Sequence, residues 1–240
     1  MQSKPQTVLI TGANRGLGLA LCRRYLQQND QVIATCRQPD RAIELQSLAQ
    51  EFPLTILPLD VTDTASRQAL AQKLCETPID ILINNAGLLS STSAAPKPAD
   101  QKFGAIDPDE WTTVLQTNSI APVMVTQTLL PNLRRSTTRK IAMISSRHGS
   151  ITEMDKNIPL AYGTSKAALN AATKILSSAL QDENFIVVTF NPGWMRTDMG
   201  GPRANLSPEA SAARLVGLID DLTPAQNGNF LRHTGETLAW

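Results

Sequence analysis

The chain has 240 residues, of which 42% are hydrophobic and 18% charged, and its formal net charge is +1. A chain of this length buries a substantial core, and α/β folds of this size often form one unit, so we expect a single domain over residues 1–240. The charge balance lacks the basic excess typical of proteins that bind nucleic acid or anionic membranes, and we predict neither partner.

Short apolar runs rich in β-branched residues alternate with amphipathic helical patterns along the chain. This alternation is typical of βαβ units, and therefore of a parallel sheet with helices on both faces. The predicted strands are Thr7–Thr11, Gln31–Cys36, Leu54–Leu57, Ile79–Asn84, Lys140–Ser145, Phe185–Phe190 and Asn229–Leu231. The predicted helices are Gly16–Gln28, Arg41–Glu51, Thr64–Cys75, Pro108–Pro131, Ala161–Gln181 and Pro208–Asp220. The sequence thus predicts an α/β, Rossmann-type doubly wound fold with about seven strands.

The first strand leads directly into a glycine-rich turn with Gly12, Gly16 and Gly18, and an amphipathic helix follows. Backbone N–H groups at a helix start bind pyrophosphate, and glycines allow a close approach that a Cβ would block. This order of strand, turn and helix predicts a dinucleotide site. The alternative is that the glycines only shape a turn.

The residues after the second strand indicate which dinucleotide is bound. An acidic residue there would bind the ribose 2′-hydroxyl of NAD, but this chain has Thr35, Cys36 and Arg37. Arg37 can pair with a 2′-phosphate, and Arg15, inside the glycine turn, can approach it from the other side. We therefore predict NADP(H) as the cofactor. The alternative is a pair of solvated surface arginines.

The fourth strand runs into Asn84, Asn85, Ala86 and Gly87. Asparagine amides at the carboxyl end of a strand can brace the sheet edge, and the small residues leave room for a ribose or a nicotinamide. The Ser-, Ala- and Pro-rich stretch from Leu88 to Asp107 is predicted to be a long loop at the same edge, where binding segments of open α/β sheets lie.

Tyr162 and Lys166 lie one helical turn apart in the predicted sixth helix. A phenol ionises near pH ~10, and an ammonium on the same helix face would stabilise the phenolate. The pair therefore predicts a proton donor or acceptor that works nearer neutrality. The alternative is a surface tyrosine beside a solvated lysine.

Four motifs occur together and in a fixed order: TGANRGLG, NNAG, a serine pair ahead of the Tyr-x-x-x-Lys pair, and NPGWMRTDM. They resemble the short-chain dehydrogenase/reductase family, and the resemblance runs from about Thr7 to Thr197. The segments SSRHGSI and GNFLRHTGETLAW are most similar to the C-factor and sniffer-like carbonyl reductase branch.

The resemblance implies catalytic roles for four residues. Tyr162 would be the general acid of a reduction, and Lys166 would lower its pKa and hold the nicotinamide ribose hydroxyls. Ser146 would hydrogen-bond the substrate oxygen, with Ser145 as the alternative. Asn118 would sit at a local helix distortion and anchor a water leading from Lys166 to solvent.

The resemblance also implies a cofactor-binding set. Asp60 would contact the adenine amino group, unless it only caps the following helix. Pro192 and Gly193 would contact the nicotinamide ring and Thr197 its carboxamide, unless they form a generic turn. The full predicted set is Gly12, Asn14, Arg15, Gly16, Leu17, Gly18, Arg37, Asp60, Val61, Asn85, Ala86, Gly87, Tyr162, Lys166, Pro192, Gly193 and Thr197.

The activity implied is NADPH-dependent reduction of an aldehyde or ketone, with substrate loops at about 88–107, 147–161 and 194–207. An alternative is an NADP(H)-binding regulatory or signalling protein with little turnover. An epimerase or dehydratase is disfavoured because too little chain follows Thr197 to form a further sugar-nucleotide domain. The family suggests a homodimer or homotetramer, and no metal site is predicted.

Cysteine usage and the N-terminus indicate the compartment. Cys22, Cys36 and Cys75 form no Cys-x-x-Cys pair and are odd in number, which favours a reducing environment. The first residues, MQSKPQ, are polar, and no apolar run reaches membrane-spanning length. We therefore predict a cytoplasmic protein.

Three tryptophan- and histidine-bearing segments have open interpretations. Trp194 and its neighbours Met195 and Met199 can form a lid over a substrate or pack against the sheet. His148 is predicted at the pocket mouth. Trp240 is expected to pack on its own or a neighbouring subunit.

Overall fold

The structure is a computed structural model that describes residues 5–90 and 103–240. The strands are β1 Thr7–Thr11, β2 Gln31–Cys36, β3 Leu54–Pro58, β4 Ile81–Asn84, β5 Lys140–Ile144, β6 Ile186–Asn191 and β7 Phe230–Arg232. The helices are α1 Gly16–Gln27, α2 Ile43–Glu51, α3 Thr64–Leu74, α4 Pro108–Leu115, α5 Ala121–Arg134, α6 Leu160–Ala179 and α7 Pro208–Asp220.

Within the described residues the seven strands form one parallel sheet in the order β3-β2-β1-β4-β5-β6-β7. The chain winds outward from β1 to β3, then returns to the centre and winds outward again from β4. The strand order therefore reverses between β1 and β4, and at such a switch point a crevice opens beyond the carboxyl ends of the strands. The predicted α/β doubly wound fold is confirmed.

Side-chain alternation along the strands builds a core on each face of the sheet. Val8 and Ile10 of β1 point to one face, where they pack in a cluster with side chains of α1, α2 and α7. Leu9, between them, points to the other face and packs with α3, α5 and α6. Because successive strand side chains alternate, a strand covered on both faces must be apolar throughout.

The predicted helix Pro108–Pro131 differs from the structure both within its length and at its end. The predicted helix Pro108–Pro131 is divided by a π-helical segment, Gln116–Ile120, and continues past Pro131 to Arg134. Proline removes one helical hydrogen bond, but the next turn is anchored from outside. The Asn132 amide donates to the carbonyl oxygens of Cys75 and Thr77, both at 3.0 Å.

No helix in residues 5–90 or 103–240 is both long and apolar enough to cross a membrane. Over the same ranges, no cluster of three or more His, Cys, Asp or Glu side chains is arranged to hold a metal ion.

Candidate active site

The glycine turn after β1 touches the turn after β4. Gly12 and Gly16 have positive φ angles of 65° and 54°. A Cβ on Gly12 would lie 2.9 Å from Ala86 Cα, and one on Gly18 would lie 2.6 Å from Asn85 Nδ2. Gly12 combines a left-handed backbone with a close approach, and only glycine meets both requirements. These glycines therefore do more than shape a local turn.

The start of α1 has the character of an anion site. Among the described residues no side chain caps this helix, and its first turn contains no acidic residue. The first backbone N–H groups of a helix lack intrahelical partners and carry a partial positive charge. Arg15 and Asn14 beside them are exposed, whereas Leu17 is buried in the core below. The arrangement fits a pyrophosphate.

The asparagines after β4 brace the sheet edge, as predicted. The Asn85 amide donates to the carbonyl oxygens of Thr11 and Gly12, at 2.9 and 3.1 Å. The Thr11 hydroxyl accepts from the backbone N–H groups of Asn85 and Ala86, both at 3.0 Å. Asn84, the last residue of β4, donates to the Thr126 hydroxyl on helix α5. Thr11 was not among the predicted site residues, although a polar residue at the end of a buried strand was a usable signal.

The turn after β3 holds Asp60 near Arg37. Asp60 Oδ1 accepts from the backbone N–H and the hydroxyl of Thr62, at 2.9 and 2.6 Å. Partial burial raises the pKa of Asp60, but the Thr62 hydrogen bonds and the Arg37 charge outweigh it and hold the pKa below its ordinary value. Asp63, not Asp60, caps α3. Asp60 therefore does not cap this helix.

The neighbouring Val61 is fixed by a residue that sequence reasoning missed. The buried Arg67 guanidinium donates to the Val61 carbonyl oxygen and to the Thr64 hydroxyl, both at 2.8 Å. Nothing in the sequence distinguished this arginine from the solvated ones on the same helix pattern.

Tyr162 and Lys166 both lie on α6 and are buried, with 8% and 4% exposure. The Lys166 ammonium donates to the Ile144 carbonyl oxygen at 2.9 Å and lies 5.8 Å from the centre of the Tyr162 ring. Burial on this scale contradicts the alternative of a surface tyrosine beside a solvated lysine. The helix therefore presents both groups to the interior at the carboxyl end of β5.

Burial governs the ionisation of both groups. It raises the pKa of Tyr162, and a hydrogen bond with Ser146 only partly offsets this. It lowers the pKa of Lys166 to about 8. The predicted lowering of the tyrosine pKa by Lys166 is thus wrong for this geometry, because desolvation disfavours both charged forms and the ammonium is directed to a carbonyl.

The two candidate serines differ in what they face. Ser146 lies close enough to Tyr162 to lower the pKa of the phenol, and its hydroxyl accepts from the His148 backbone N–H at 3.2 Å. Ser145 is buried, and its hydroxyl points to the Lys166 carbonyl oxygen at 3.5 Å. The His148 ring stands edge-on to the Tyr162 ring at 6.0 Å. Ser146 is therefore the serine that contacts the tyrosine.

Asn118 lies in the π-helical segment between α4 and α5 and is fully buried. Its amide accepts from the Leu88 N–H and donates to the Leu88 carbonyl, both at 2.7 Å, and donates to the Ser165 hydroxyl at 3.0 Å. A Cβ on Gly87 would lie 3.2 Å from Asn118 Oδ1 and 3.5 Å from Lys166 Nζ. The residues after β4, the distorted helix and the lysine therefore meet at one point.

The turn after β6 reaches the glycine turn. Gly193 has a φ of 86°, and Pro192 accepts from the Ser211 hydroxyl at 2.7 Å. A Cβ on Gly16 would lie 3.3 Å from Thr197 Cγ2. The next residue, Asp198, forms a 2.9 Å ion pair with Arg15 that sequence reasoning missed.

The aromatic and methionine residues of this part of the chain divide between surface and core. Trp194 and Met199 are 56% and 44% exposed, whereas Met195 packs against the core. The Trp240 ring stacks on Phe230 of the same chain, with centroids 5.5 Å apart, which confirms packing within its own subunit.

Several predicted residues thus converge on the carboxyl edge of the sheet, near the switch point between β1 and β4. A glycine turn leading into an uncapped helix lies there, and so does a buried tyrosine with a serine beside it. This combination defines an oxidoreductase of the dinucleotide-binding α/β class.

Comparison with known proteins identifies the family. The family description "short chain dehydrogenase" matches residues 6–206. The chain is 36% identical to the C-signal of Myxococcus xanthus over 173 residues, 72% of this chain and 99% of that protein. Carbonyl reductase Sniffer of D. melanogaster superposes with a TM-score of 0.90 and 34% identity over 99% of this chain and 100% of that one. For the NADPH-bound carbonyl reductase from chicken fatty liver the values are 0.89, 34%, 99% and 100%. The chain belongs to the short chain dehydrogenase family.

Proposed function

We propose that this protein is an NADPH-dependent oxidoreductase that reduces an aldehyde or a ketone to an alcohol, with residues 1–240 acting as one domain. One observation carries the proposal: Tyr162 is buried, lies beside Ser146, which moderates its pKa, and is one helical turn from the buried Lys166. A protein that only binds a nucleotide has no need of a desolvated proton donor paired with a hydroxyl.

NADP(H) fits the residues at the carboxyl edge. The uncapped start of α1 would hold the pyrophosphate, and Arg15 and Arg37 would flank the 2′-phosphate. Asp60 and Val61 would hold the adenine, and Asn85 to Gly87 with Pro192, Gly193 and Thr197 would line the nicotinamide side. The names of solved relatives support the choice, since one is an NADPH-bound carbonyl reductase and another has NADP bound. When bound, the cofactor supplies the hydride.

The protein's own groups then handle the carbonyl oxygen. Since the pKa of Tyr162 lies above its ordinary value, the phenol is protonated at neutral pH, and it would donate that proton as the general acid. The Ser146 hydroxyl, beside the phenol, would hydrogen-bond the same oxygen as negative charge develops. Lys166 would hold the ribose hydroxyls, and Asn118 would anchor the water that leads from Lys166 to solvent.

The substrate is proposed to be a small carbonyl compound with an apolar body. Trp194 and Met199, both exposed beside the β6 turn, offer apolar contact surface, and Met154 is 36% exposed near the start of α6. The proposed substrate loops are residues 88–107, 147–161 and 194–207. Most of the first loop, residues 91–102, lies outside the described residues.

A second function, an NADP(H)-binding regulatory or signalling protein, is favoured by the 36% identity to a protein named C-signal. For either function we propose a homodimer or homotetramer in the cytoplasm.

The test compares variants in turnover and nucleotide binding. NADPH oxidation is followed across a panel of aldehydes, ketones and quinones, and NADPH affinity is measured separately. We expect Tyr162→Phe to lose at least about 100-fold in kcat and Ser146→Ala about 10- to 100-fold, both with nearly unchanged affinity. Ser145→Ala is the matched control and should lose less than about threefold.

Two results would decide against the enzyme. If the wild-type protein binds NADPH but oxidises none of it with any compound of the panel, the regulatory function is supported. If Tyr162→Phe retains wild-type turnover, the proposed proton donor is wrong.

A further inference from the structure

We propose that Asp198 limits the preference for NADPH over NADH by competing with the 2′-phosphate for Arg15. The proposal rests on the proposed cofactor and adds a selectivity residue to it. The observation is the ion pair of 2.9 Å between Arg15 Nη1 and Asp198 Oδ2, which joins the glycine turn to the segment after β6. These residues are 183 positions apart in the chain, so the contact is purely tertiary.

Asp198 belongs to an internally bonded segment, residues 194–206, which we call the β6 flap. Its two ends pair through backbone hydrogen bonds between Arg196 and Leu206 at 2.9 Å and between Leu206 and Trp194 at 3.2 Å. Its tip is closed by the Trp194 indole, which donates to the Gly200 carbonyl at 2.8 Å. The carboxylate of Asp198 is therefore carried on a fixed frame rather than on a free loop.

A second contact, which is apolar, holds the β6 flap against the glycine turn. The missing side chain of Gly16 leaves room for the Thr197 methyl group, which lies 3.3 Å from where a Cβ would be. Thr197 is in turn held by the Gly200 N–H, which donates to its hydroxyl at 3.1 Å. Neutralising Asp198 therefore removes the charge while this apolar contact still positions the flap.

The ion pair is suited to exchange. The two side chains are 69% and 80% exposed, and ion pairs this exposed are weak because water screens them. A phosphate dianion offers more acceptor oxygens and more charge than a carboxylate, so it is the stronger partner for a guanidinium. When the 2′-phosphate takes Arg15, the Asp198 carboxylate loses its partner and lies near a dianion, which opposes NADPH binding.

NADH lacks the 2′-phosphate, so it does not draw Arg15 away from Asp198. The carboxylate therefore penalises NADPH selectively. Arg37 has a comparable acidic neighbour in Asp60, whose pKa it helps to lower. Asp60 is satisfied by its two hydrogen bonds from Thr62, however, whereas Asp198 depends on Arg15 for its ion pair.

The test is Asp198→Asn, which keeps the shape of the side chain and removes its charge. Dissociation constants for NADPH and NADH are measured by nucleotide fluorescence at low and high salt. We expect NADPH to bind about three- to tenfold more tightly and NADH to change less than about twofold. The NADPH gain should shrink at high salt because exposed charges are screened. The control is Asp182→Asn, an exposed aspartate that precedes β6 at the opposite edge of the sheet.

Combining Asp198→Asn with Arg15→Ala tests whether the effect depends on competition for the Arg15 guanidinium. In the Arg15→Ala background, Asp198→Asn should tighten NADPH binding clearly less than it does in the wild-type background, because the shared cation is gone. The proposal is overturned if NADPH affinity is unchanged or weakened by Asp198→Asn, if NADH tightens equally, or if the full gain persists without Arg15. Because the readout is binding, these outcomes are distinct from a failure of the proposed activity, which is measured by turnover of Tyr162→Phe.

Discussion

At the scale of single residues, desolvation decides how Tyr162 and Lys166 can act. Both groups are at least nine-tenths buried, so each is biased to its neutral form. For the phenol this bias favours a protonated donor, and for the lysine it places the pKa, about 8, close to neutrality. The same burial that suits catalysis costs stability, because a buried charge is paired here with a carbonyl oxygen and not with a counter-ion.

Replacing Lys166 with Met should separate activity from stability. We expect turnover to fall by about 100-fold or more, since the lysine stands beside the proton donor. At pH 7 the folded wild type carries a desolvated ammonium whose penalty reaches at most about 3 kcal/mol, and the variant lacks it. Part of that gain is offset because the Ile144 carbonyl loses its donor. Lys166→Met should therefore be at least as stable as the wild type, as measured by urea unfolding.

The stability difference between Lys166→Met and the wild type should depend on pH. The folded pKa of Lys166, about 8, lies below its ordinary value of 10.5, so the unfolded chain binds more protons between these values. Wild-type stability should rise with pH across that window, and the advantage of Lys166→Met should shrink from pH 8 to pH 10.5. An advantage that stays constant over this range would contradict the assigned pKa.

At the scale of elements, the π-helical segment between α4 and α5 holds together separate parts of the candidate site. The π-helical segment Gln116–Ile120 carries Asn118 and Ser119, which both bond to Ser165 of α6. A wider helical turn leaves room for polar side chains to bond across elements, and such π-bulges are frequent at functional sites. The segment therefore ties the α6 helix, with its Tyr162 and Lys166, to the residues that follow β4.

Asn118→Ala should damage both the fold and the site. The change removes three hydrogen bonds and leaves the Leu88 N–H and carbonyl without their partner, which we expect to cost about 2–4 kcal/mol in the free energy of unfolding. Turnover should fall more steeply than nucleotide affinity, as measured by kcat and a separate binding titration. Thr113→Ala is the control: its exposed hydroxyl bonds only within α4, and the change should cost less than about 0.5 kcal/mol. Equal effects of the two variants would contradict the role of Asn118 in holding α6 to the residues that follow β4.

At the scale of the whole molecule, the two edges of the sheet carry different polar groups. The carboxyl edge holds the candidate site, whereas the amino edge holds a cluster of the buried Asp30 and Lys140 with the partly buried Asp80 and Asp220, beside the buried Tyr25. Lys140 donates to the Asp220 backbone carbonyl at 2.6 Å and not to a carboxylate. Burial and the neighbouring carboxylates raise the pKa values of Asp30 and Asp220. The ionisation of these amino-edge groups should therefore change the stability of the protein with pH without affecting the candidate site.

Asp220→Asn should raise stability at neutral pH without changing turnover. The folded pKa of Asp220 lies above its ordinary value, so the folded protein binds more protons in that window, and wild-type stability falls as pH rises through it. Above the window the penalty is fully present, and the variant should gain about 0.5 kcal/mol, a small amount because water partly screens this partly exposed group. Below pH ~4 the gain should vanish. Unfolding at pH 4 and pH 7 checks this, and a gain of equal size at both would contradict it.

Much of the fold could be predicted from the sequence because it depends on local sequence patterns. Strand β1, the glycine turn and α1 follow one another within 21 residues, from Thr7 to Gln27, and their approximate bounds follow from a short apolar β-branched run, the placement of the glycines and the helical pattern after them. The distortion at Asn118 was likewise predicted, since an asparagine followed by Pro122 is unfavourable in a regular helix. The course of the helix beyond Pro131 was not, because its anchor, Asn132, bonds to carbonyls more than 50 positions away.

By itself the sequence determined the parallel sheet, the family and the residues gathered at its carboxyl edge, because periodicity and short motifs act over a few neighbouring positions. Three matters were decided only by the tertiary structure: which serine contacts Tyr162, the upward direction of the tyrosine pKa, and the pairing of Arg15 with Asp198. Each depends on distances and desolvation between segments far apart in the chain, and these are properties of the packed molecule that no local pattern encodes.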